Sequence, residues 1–411
     1  MPKLPPQPWM IAPETGAVVR ALTRDGTAIR FVGGCVRDAL ADRPVRDIDI
    51  ATPDPPEVIL RLLEAAGLRA IPTGIEHGTV TALSDGRHFE ITTLRVDVET
   101  DGRRATVAFT DDWTADAARR DLTVNALSCG PDGELFDPFD GAADLAAGRI
   151  RFVGVAEQRI REDVLRLLRF FRFYAQFGQP PPDPEGLAAC RALAHLLPTL
   201  SGERVQAELF KLLATDAAPD VLALMAAEGV LAHVLGEVAD FERLGGLIAV
   251  EAAAAIDPQP VRRLAAALDT DEDGIRALSG RLRLSGKDRD YLLDTWRLGA
   301  EFAPIDDAAS RRRWFYRHGA DTYREVLLLR AAAETAARPD LDAQLAAAAA
   351  WHRPAFPLTG DDVMALGIAA GPAVGDLLRR VEDWWLNGDF TADRTACLTR
   401  LEAFAAQGDR P

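Results

Sequence analysis

The sequence predicts an α+β protein in which an N-terminal head built on a mixed sheet is followed by an all-α neck, body and tail. Three observations carry that prediction. Residues 28–155 interleave short apolar runs of period-two alternation with helix-like stretches, a pattern of strands and helices mixed in one unit. From residue 156 onward the periodicity is helical, beginning with a stripe of Ile160, Val164, Leu167, Leu168 and Phe171 at the spacing of one helix face. The remainder is rich in Ala and Leu, with punctuation at Asp257-Pro258, Gly286, Pro339 and residues 354–357. The chain therefore divides into an N-terminal extension (1–27), the head (28–155), a helical neck (156–215), a helical body (216–310) and a helical tail (311–411).

The elements follow in order. The opening MPKLPPQPWM is proline-rich and has no long apolar core, so it does not read as a signal peptide. Strands are expected at residues 29–32, 47–51, 79–83, 88–94 and 123–128, and helices at 57–66 and 114–120. Residues 95–109 read as a polar, glycine-containing link. The neck helix begins near residue 156 and must end at Gly178-Gln179-Pro180-Pro181-Pro182-Asp183-Pro184, because proline neither donates to a helix nor tolerates the preceding turn.

With 411 residues and 48% hydrophobic content, the chain has material for a sizeable core and several structural units. Its four cysteines are scattered and include no CxxC, which points to reduced thiols in a cytoplasmic protein and away from a zinc ribbon. No run approaches the roughly 18 apolar residues of a membrane span. The net charge of −16 opposes nucleic-acid binding, which needs Lys and Arg against phosphate. The distribution answers this in part: seven arginines lie between Arg149 and Arg172, and basic stretches recur at Arg276, Arg281, Arg283, Lys287, Arg289 and at Arg311-Arg312-Arg313 with Arg317.

Residues 32–52 carry the densest chemistry. Asp47 and Asp49 alternate with Ile48 and Ile50, so in a strand both carboxylates face one side and both isoleucines the other. Two carboxylates projecting together from a buried strand are costly without a cation between them. A divalent metal is the natural occupant, and Mg²⁺ favours a few carboxylates completed by substrate phosphates. The Gly33-Gly34 turn follows an apolar run and leaves backbone N–H groups to meet phosphate.

Gly33-Gly34-Cys35-Val36-Arg37-Asp38 followed by Asp47-Ile48-Asp49 resembles the first motif of the class II tRNA nucleotidyltransferase and bacterial poly(A) polymerase family, within the polymerase-β-like nucleotidyltransferases. Further stretches resemble that family's motifs in order: residues 119–127 (RRDLTVNAL), 137–141 (DPFDG), 162–172 (EDVLRLLRFFR) and 201–209 (SGERVQAEL). The resemblance is fullest over residues 28–215. It implies a nucleotidyltransferase head, an Mg²⁺-dependent transfer of nucleotides and an RNA-binding tail. It makes Glu90, on a strand alternating like that of Asp47 and Asp49, the third carboxylate, which binds the primer 3′-hydroxyl or takes its proton. Gly34 and Arg37 then face the triphosphate, Arg120 contacts nucleotide, and Asp121 and Asn125 shape the sugar pocket.

Asp163 and Arg166, three residues apart, are expected on one face of one helix. Asp accepts hydrogen bonds and Arg donates through a planar fork. Cytosine and adenine each present an amine donor beside a ring-nitrogen acceptor, so one Asp/Arg pair fits both, whereas uracil and guanine set a carbonyl against the Asp. Arg169 and Arg172 continue the spacing, toward either the triphosphate or the neck packing. Glu203, Arg204 and Glu208 are expected to brace the base-reading helix. The link at 95–109 matches the place where, in the family, a flexible loop assists the change from C to A.

The function implied is template-independent addition of CCA to the 3′ end of tRNA from CTP and ATP, with no membrane or protein partner inferred. Poly(A) synthesis and partial CC or A addition stay open within the family. A non-catalytic RNA-binding protein stands as an alternative from another class, opposed by the intact Asp47, Asp49 and Arg120. The acidic C-terminal third, without a long basic tail, argues against processive synthesis on arbitrary RNA.

Overall fold

A computed structural model describes residues 3–100, 105–236, 239–302, 305, 307–334 and 340–408. The chain forms two compact units, one of residues 1–241 with 276–284, the other of residues 242–275 with 285–411.

The first unit opens with α1 (Pro8–Ile11) and α2 (Pro13–Leu22), each with a proline in its first turn, where the missing N–H costs nothing. The segment expected to be an extension belongs instead to the head core. Leu4, Trp9, Met10, Val18 and Leu22 are buried there, and Trp9 meets Phe31 edge-on with ring centroids 4.9 Å apart. Then follow β1 (Arg30–Val32), α3 (Gly34–Leu40), β2 (Ile48–Thr52), α4 (Pro56–Ala65), β3 (Arg69–Gly74), β4 (Thr79–Ser84) and β5 (Arg87–Thr93). Next come β6 (Arg95–Thr100), β7 (Ala105–Phe109), α5 (Trp113–Ala118), β8 (Ser128–Cys129), β9 (Leu135–Phe136) and α6 (Gly141–Ala146).

Seven strands form one mixed sheet in the order β3-β4-β5-β2-β1-β8-β9, with β2 and β5 parallel and the other pairs antiparallel. Ile48, Ile50, Phe89 and Ile91 lie in the core with Ile59 and Leu63 of α4. The alternation of the strands therefore sends Asp49 and Glu90 to the opposite face. Burial of the isoleucine face fixes the register, because a slip of one residue would exchange the two faces.

Two expectations are corrected here. The link at 95–109 carries the antiparallel ribbon β6–β7; residues 101–104 of the expected loop lie outside the described residues. The strand expected over 123–128 is a 3-10 turn, Thr123–Asn125, followed by the short β8. The Asn125 N–H donates to the Leu122 carbonyl and Ala126 to Thr123, so local turn bonds replace a ladder.

The neck corrects a further expectation. One helix was expected through Asp163 and Arg166; the structure has α7 (Ala156–Glu162) and α8 (Leu165–Phe177). Between them Asp163 is extended, at φ −150° and ψ 106°. Its Oδ1 accepts from the N–H of Leu165 at 3.1 Å, a side-chain cap that competes with helix continuation. After α8 the chain leaves the helix at Gly178, as the proline run requires, and continues into α9 (Pro184–Leu193) and α10 (Gly202–Leu213).

The second unit is helical among its described residues. One core gathers Phe302, Phe315, Tyr323 and Leu327, another Tyr316, Val381, Trp385 and Leu401. Arg262 and Arg263 are buried on Glu251 at 2.8 Å, and Arg262 also pairs with Glu325. Arg312 and Arg317 of the third basic stretch pair with Asp389 and Asp383 at 2.8 and 3.0 Å. No helix of the described residues is long and apolar enough to cross a membrane.

Candidate active site

Parallel pairing of β2 with β5 sets Asp49 beside Glu90 in register. Asp49 is half-buried, Glu90 is exposed, and Asp47 stands exposed just before the strand. Burial, then the neighbouring Glu90, pushes the Asp49 carboxyl up to about 6; Asp47 adds to this and Arg120 opposes it. Among the described residues no three acidic, His or Cys side chains converge as metal ligands. Asp49 on β2 and Asp47 just before it are the two carboxylates that precede and open this strand. Two carboxylates with positions left for water and phosphate oxygens suit Mg²⁺ rather than an all-protein cage.

The raised value has a thermodynamic sign. An Asp that holds its proton more tightly folded than unfolded stabilises the fold below its unfolded value of about 3.9, and that contribution is lost as pH rises through about 6. Above pH 6, with no cation, Asp49 is a charge repelled by its neighbours. We expect Asp49→Asn to stabilise the protein by about 1–3 kcal/mol at pH 7.5 in a chelator, with the gain shrinking toward pH 4.5. Urea unfolding of parent and variant at both pH values measures this, and a variant less stable than the parent at pH 7.5 refutes this account of a buried charge beside like charges.

The glycine turn lies beside these carboxylates. Gly33 has φ +68°, a left-handed backbone that favours glycine, and a Cβ there would stand 2.9 Å from the movable Nη1 of Arg120. Its N–H is not available to phosphate, as it donates to the Leu127 carbonyl at 2.9 Å. Arg37 donates to Asn125 Oδ1 at 2.6 Å and to Asp38, and its guanidinium lies over the rings of Phe173 and Phe177. Arg120 donates to the Asn125 carbonyl at 3.3 Å and to Asp116 at 3.4 Å.

Asp116, on α5, escaped the sequence reading. Its burial would raise the carboxyl, but Arg119 and Arg120 outweigh it and hold the group below the usual carboxylate range. Its position three and four residues before the two arginines was the available signal. Asp121 is buried, accepts from Asn125 Nδ2 at 3.0 Å and from Arg169 at 2.6 Å, and is held low by Arg169 despite full burial. Asp121 and Asn125 are thus locked together. Arg172 is buried against Glu208 of α10 and Gln176, so of the two places its spacing allowed it takes the neck packing.

Asp163 and Arg166 are held by separate partners. Both Asp163 oxygens accept from Nη2 of Arg204, at 3.0 and 2.8 Å. Arg166 donates to Glu162 at 2.7 Å and to the carbonyls of Arg119 and Arg159 at 3.1 and 3.3 Å. Each keeps capacity to spare: Asp163 Oδ2 a lone pair, Arg166 its Nε–H and one Nη2–H. Bracing by the 201–209 segment is thus a direct ion pair from Arg204, and Glu162 is a partner that sequence reasoning missed.

A family model described as the poly A polymerase head domain matches residues 29–151. One described as a probable RNA and SrmB-binding site of polymerase A matches residues 182–242. The mitochondrial CCA tRNA nucleotidyltransferase 1 of Danio rerio is 36% identical over 91% of this chain and 86% of its own length. The CCA-adding enzyme of Levilactobacillus brevis is 31% identical over 93% and 96%. The chain belongs to the CCA-adding tRNA nucleotidyltransferase and poly(A) polymerase family. The crystal structure of the Bacillus stearothermophilus CCA-adding enzyme in complex with CTP superposes with a TM-score of 0.81 at 28% identity, covering 97% of this chain and 99% of that one. The family's mixed-sheet head followed by helices is the architecture found here.

Proposed function

We propose that this protein adds C, C and A in turn to the 3′ end of tRNA, using CTP and ATP, without a template and with release of pyrophosphate. The observation that carries this reading is the end-to-end likeness to CCA tRNA nucleotidyltransferases, 91% of the chain at 36% identity.

The residues divide the work. Asp47 and Asp49 would hold Mg²⁺, which when bound would supply charge neutralisation at the 3′-hydroxyl and at the departing pyrophosphate. Glu90, exposed beside Asp49, positions the 3′-hydroxyl or accepts its proton. Arg37 and Arg120 meet the triphosphate, with Gly34 at its backbone. Asp121 and Asn125, fixed by Arg169 and by each other, form the wall beside the sugar. The open lone pair of Asp163 accepts from the exocyclic amine of C or A, and Arg166 donates to the adjacent ring nitrogen. A carbonyl in the amine's place, as in U or G, leaves Asp163 facing another acceptor, an unpaired contact that costs about 1–3 kcal/mol. The work of the site is then positioning and charge stabilisation of an in-line transfer.

The four cysteines, buried and unpaired, support a reducing, cytoplasmic setting. The reading is tested by offering ATP alone to tRNA lacking CCA and to an unstructured RNA of equal length. CCA addition predicts no extension of either substrate. Long A tracts on either would make the protein a poly(A) polymerase.

A further inference from the structure

We propose that the cleft between the start of α10 and residues 280–283 binds the phosphodiester backbone of the RNA substrate through Arg281 and Arg283. The basic stretch containing these residues was evident in the sequence, and no role given above uses it. The cleft encloses about 800 Å³ and is lined by Ser201, Glu203, Arg204, Arg281 and Arg283. Its walls are fixed by close packing: a Cβ on Gly202 would come within 2.1 Å of the Arg281 carbonyl oxygen, so the α10 backbone rests directly on the 281–282 backbone.

The charges of the cleft are unspent. Among the described residues many arginines close on a carboxylate, as Arg169, Arg172, Arg262 and Arg312 do. The side chains of Arg281 and Arg283 have no hydrogen-bond or ion-pair partner among the described residues, and both residues are exposed. The hydroxyl of Ser201 makes no cap bond to its own helix and remains as a donor. Three guanidinium groups face the cleft against the single carboxylate of Glu203, and one edge of Arg204 is taken by Asp163. An excess of fork-shaped donors in an open cleft matches phosphate oxygens. The Arg204–Asp163 pair makes the cleft and the base-reading residue neighbours. A triphosphate belongs to the head, at Arg37 and Arg120, so the phosphates that reach this cleft are those of the RNA.

This inference rests on the tRNA reading above, and its test separates the two. The Arg281→Ala/Arg283→Ala double variant is compared with the parent and with Arg281→Lys/Arg283→Lys, after urea unfolding has shown all three folded. RNA affinity is measured across a salt series with tRNA lacking CCA, and KM values are taken for that tRNA and for CTP. Loss of two phosphate contacts predicts about a tenfold rise in Kd and KM for the tRNA. It also predicts a salt slope shallower by about 1.4–1.8, partial recovery in the lysine variant, and a KM for CTP within about twofold of the parent. Unchanged tRNA affinity and salt slope would overturn the site while leaving CCA addition intact. A raised KM for CTP with tRNA affinity unchanged would also overturn it, by making the cleft a nucleotide site. Weakened RNA binding in a protein whose parent adds neither C nor A would overturn the proposed function and leave the cleft as an RNA site.

Discussion

Asp49→Ala abolishes nucleotide transfer, with turnover falling at least about a thousandfold, close to 4 kcal/mol of transition-state stabilisation. Asp47→Ala has a comparable effect. In the proposed mechanism these two carboxylates would hold the metal, and Asp49 is the one that β2 holds in register with Glu90. Removing either leaves one carboxylate to hold the cation that would offset the negative charge developing between primer and pyrophosphate. The fold does not depend on the charge: the core face of β2 is Ile48 and Ile50, untouched by the substitution. Activity is therefore lost while urea unfolding stays cooperative. Single-turnover extension with saturating CTP measures the effect, and turnover within tenfold of the parent would remove Asp49 from the metal site.

The next largest effect is at the base. Arg166→Ala lowers kcat/KM for CTP and for ATP together by about 10- to 150-fold, the loss of one charged hydrogen-bond donor worth about 1.5–3 kcal/mol. It also narrows the gap to UTP and GTP, because Asp163 alone no longer fixes the base edge. Arg204→Ala acts on the same function from behind. It removes the Arg204 bonds to both Asp163 oxygens, leaving the Leu165 N–H on Oδ1, so rejection of UTP weakens although no group that touches the base has been removed. An Arg166 variant that loses ATP use and keeps CTP use would show that the two bases are read by different residues.

How much of this was legible in the sequence depended on the range of the forces involved. The faces of β2 and β5 were readable because alternation is a local rule: Ile48 and Ile50 could be buried together only by turning Asp49 outward. That Asp49 neighbours Glu90 came from the family resemblance, since a parallel pairing across about forty residues leaves no local trace. The break at Asp163 was missed because Glu162-Asp163-Val164-Leu165 contains neither glycine nor proline. The cause is a side chain capping its own backbone, with Arg204 holding it from another helix. The first 27 residues read as an extension because prolines dominate them, although Trp9, Met10, Val18 and Leu22 are the residues that cover the sheet. The ribbon at 95–109 did have a signal, the alternation of Val96 and Val98 with charged residues, masked by the polarity of its middle.

The most direct test of the account is product sequence under full competition. tRNA lacking its 3′-terminal CCA is incubated with the protein, Mg²⁺ and all four nucleoside triphosphates at equal concentration, and the extended ends are sequenced. The account predicts products that grow by C, then C, then A, and stop. Incorporation of U or G at a comparable rate, or growth continuing past the first A, would contradict it.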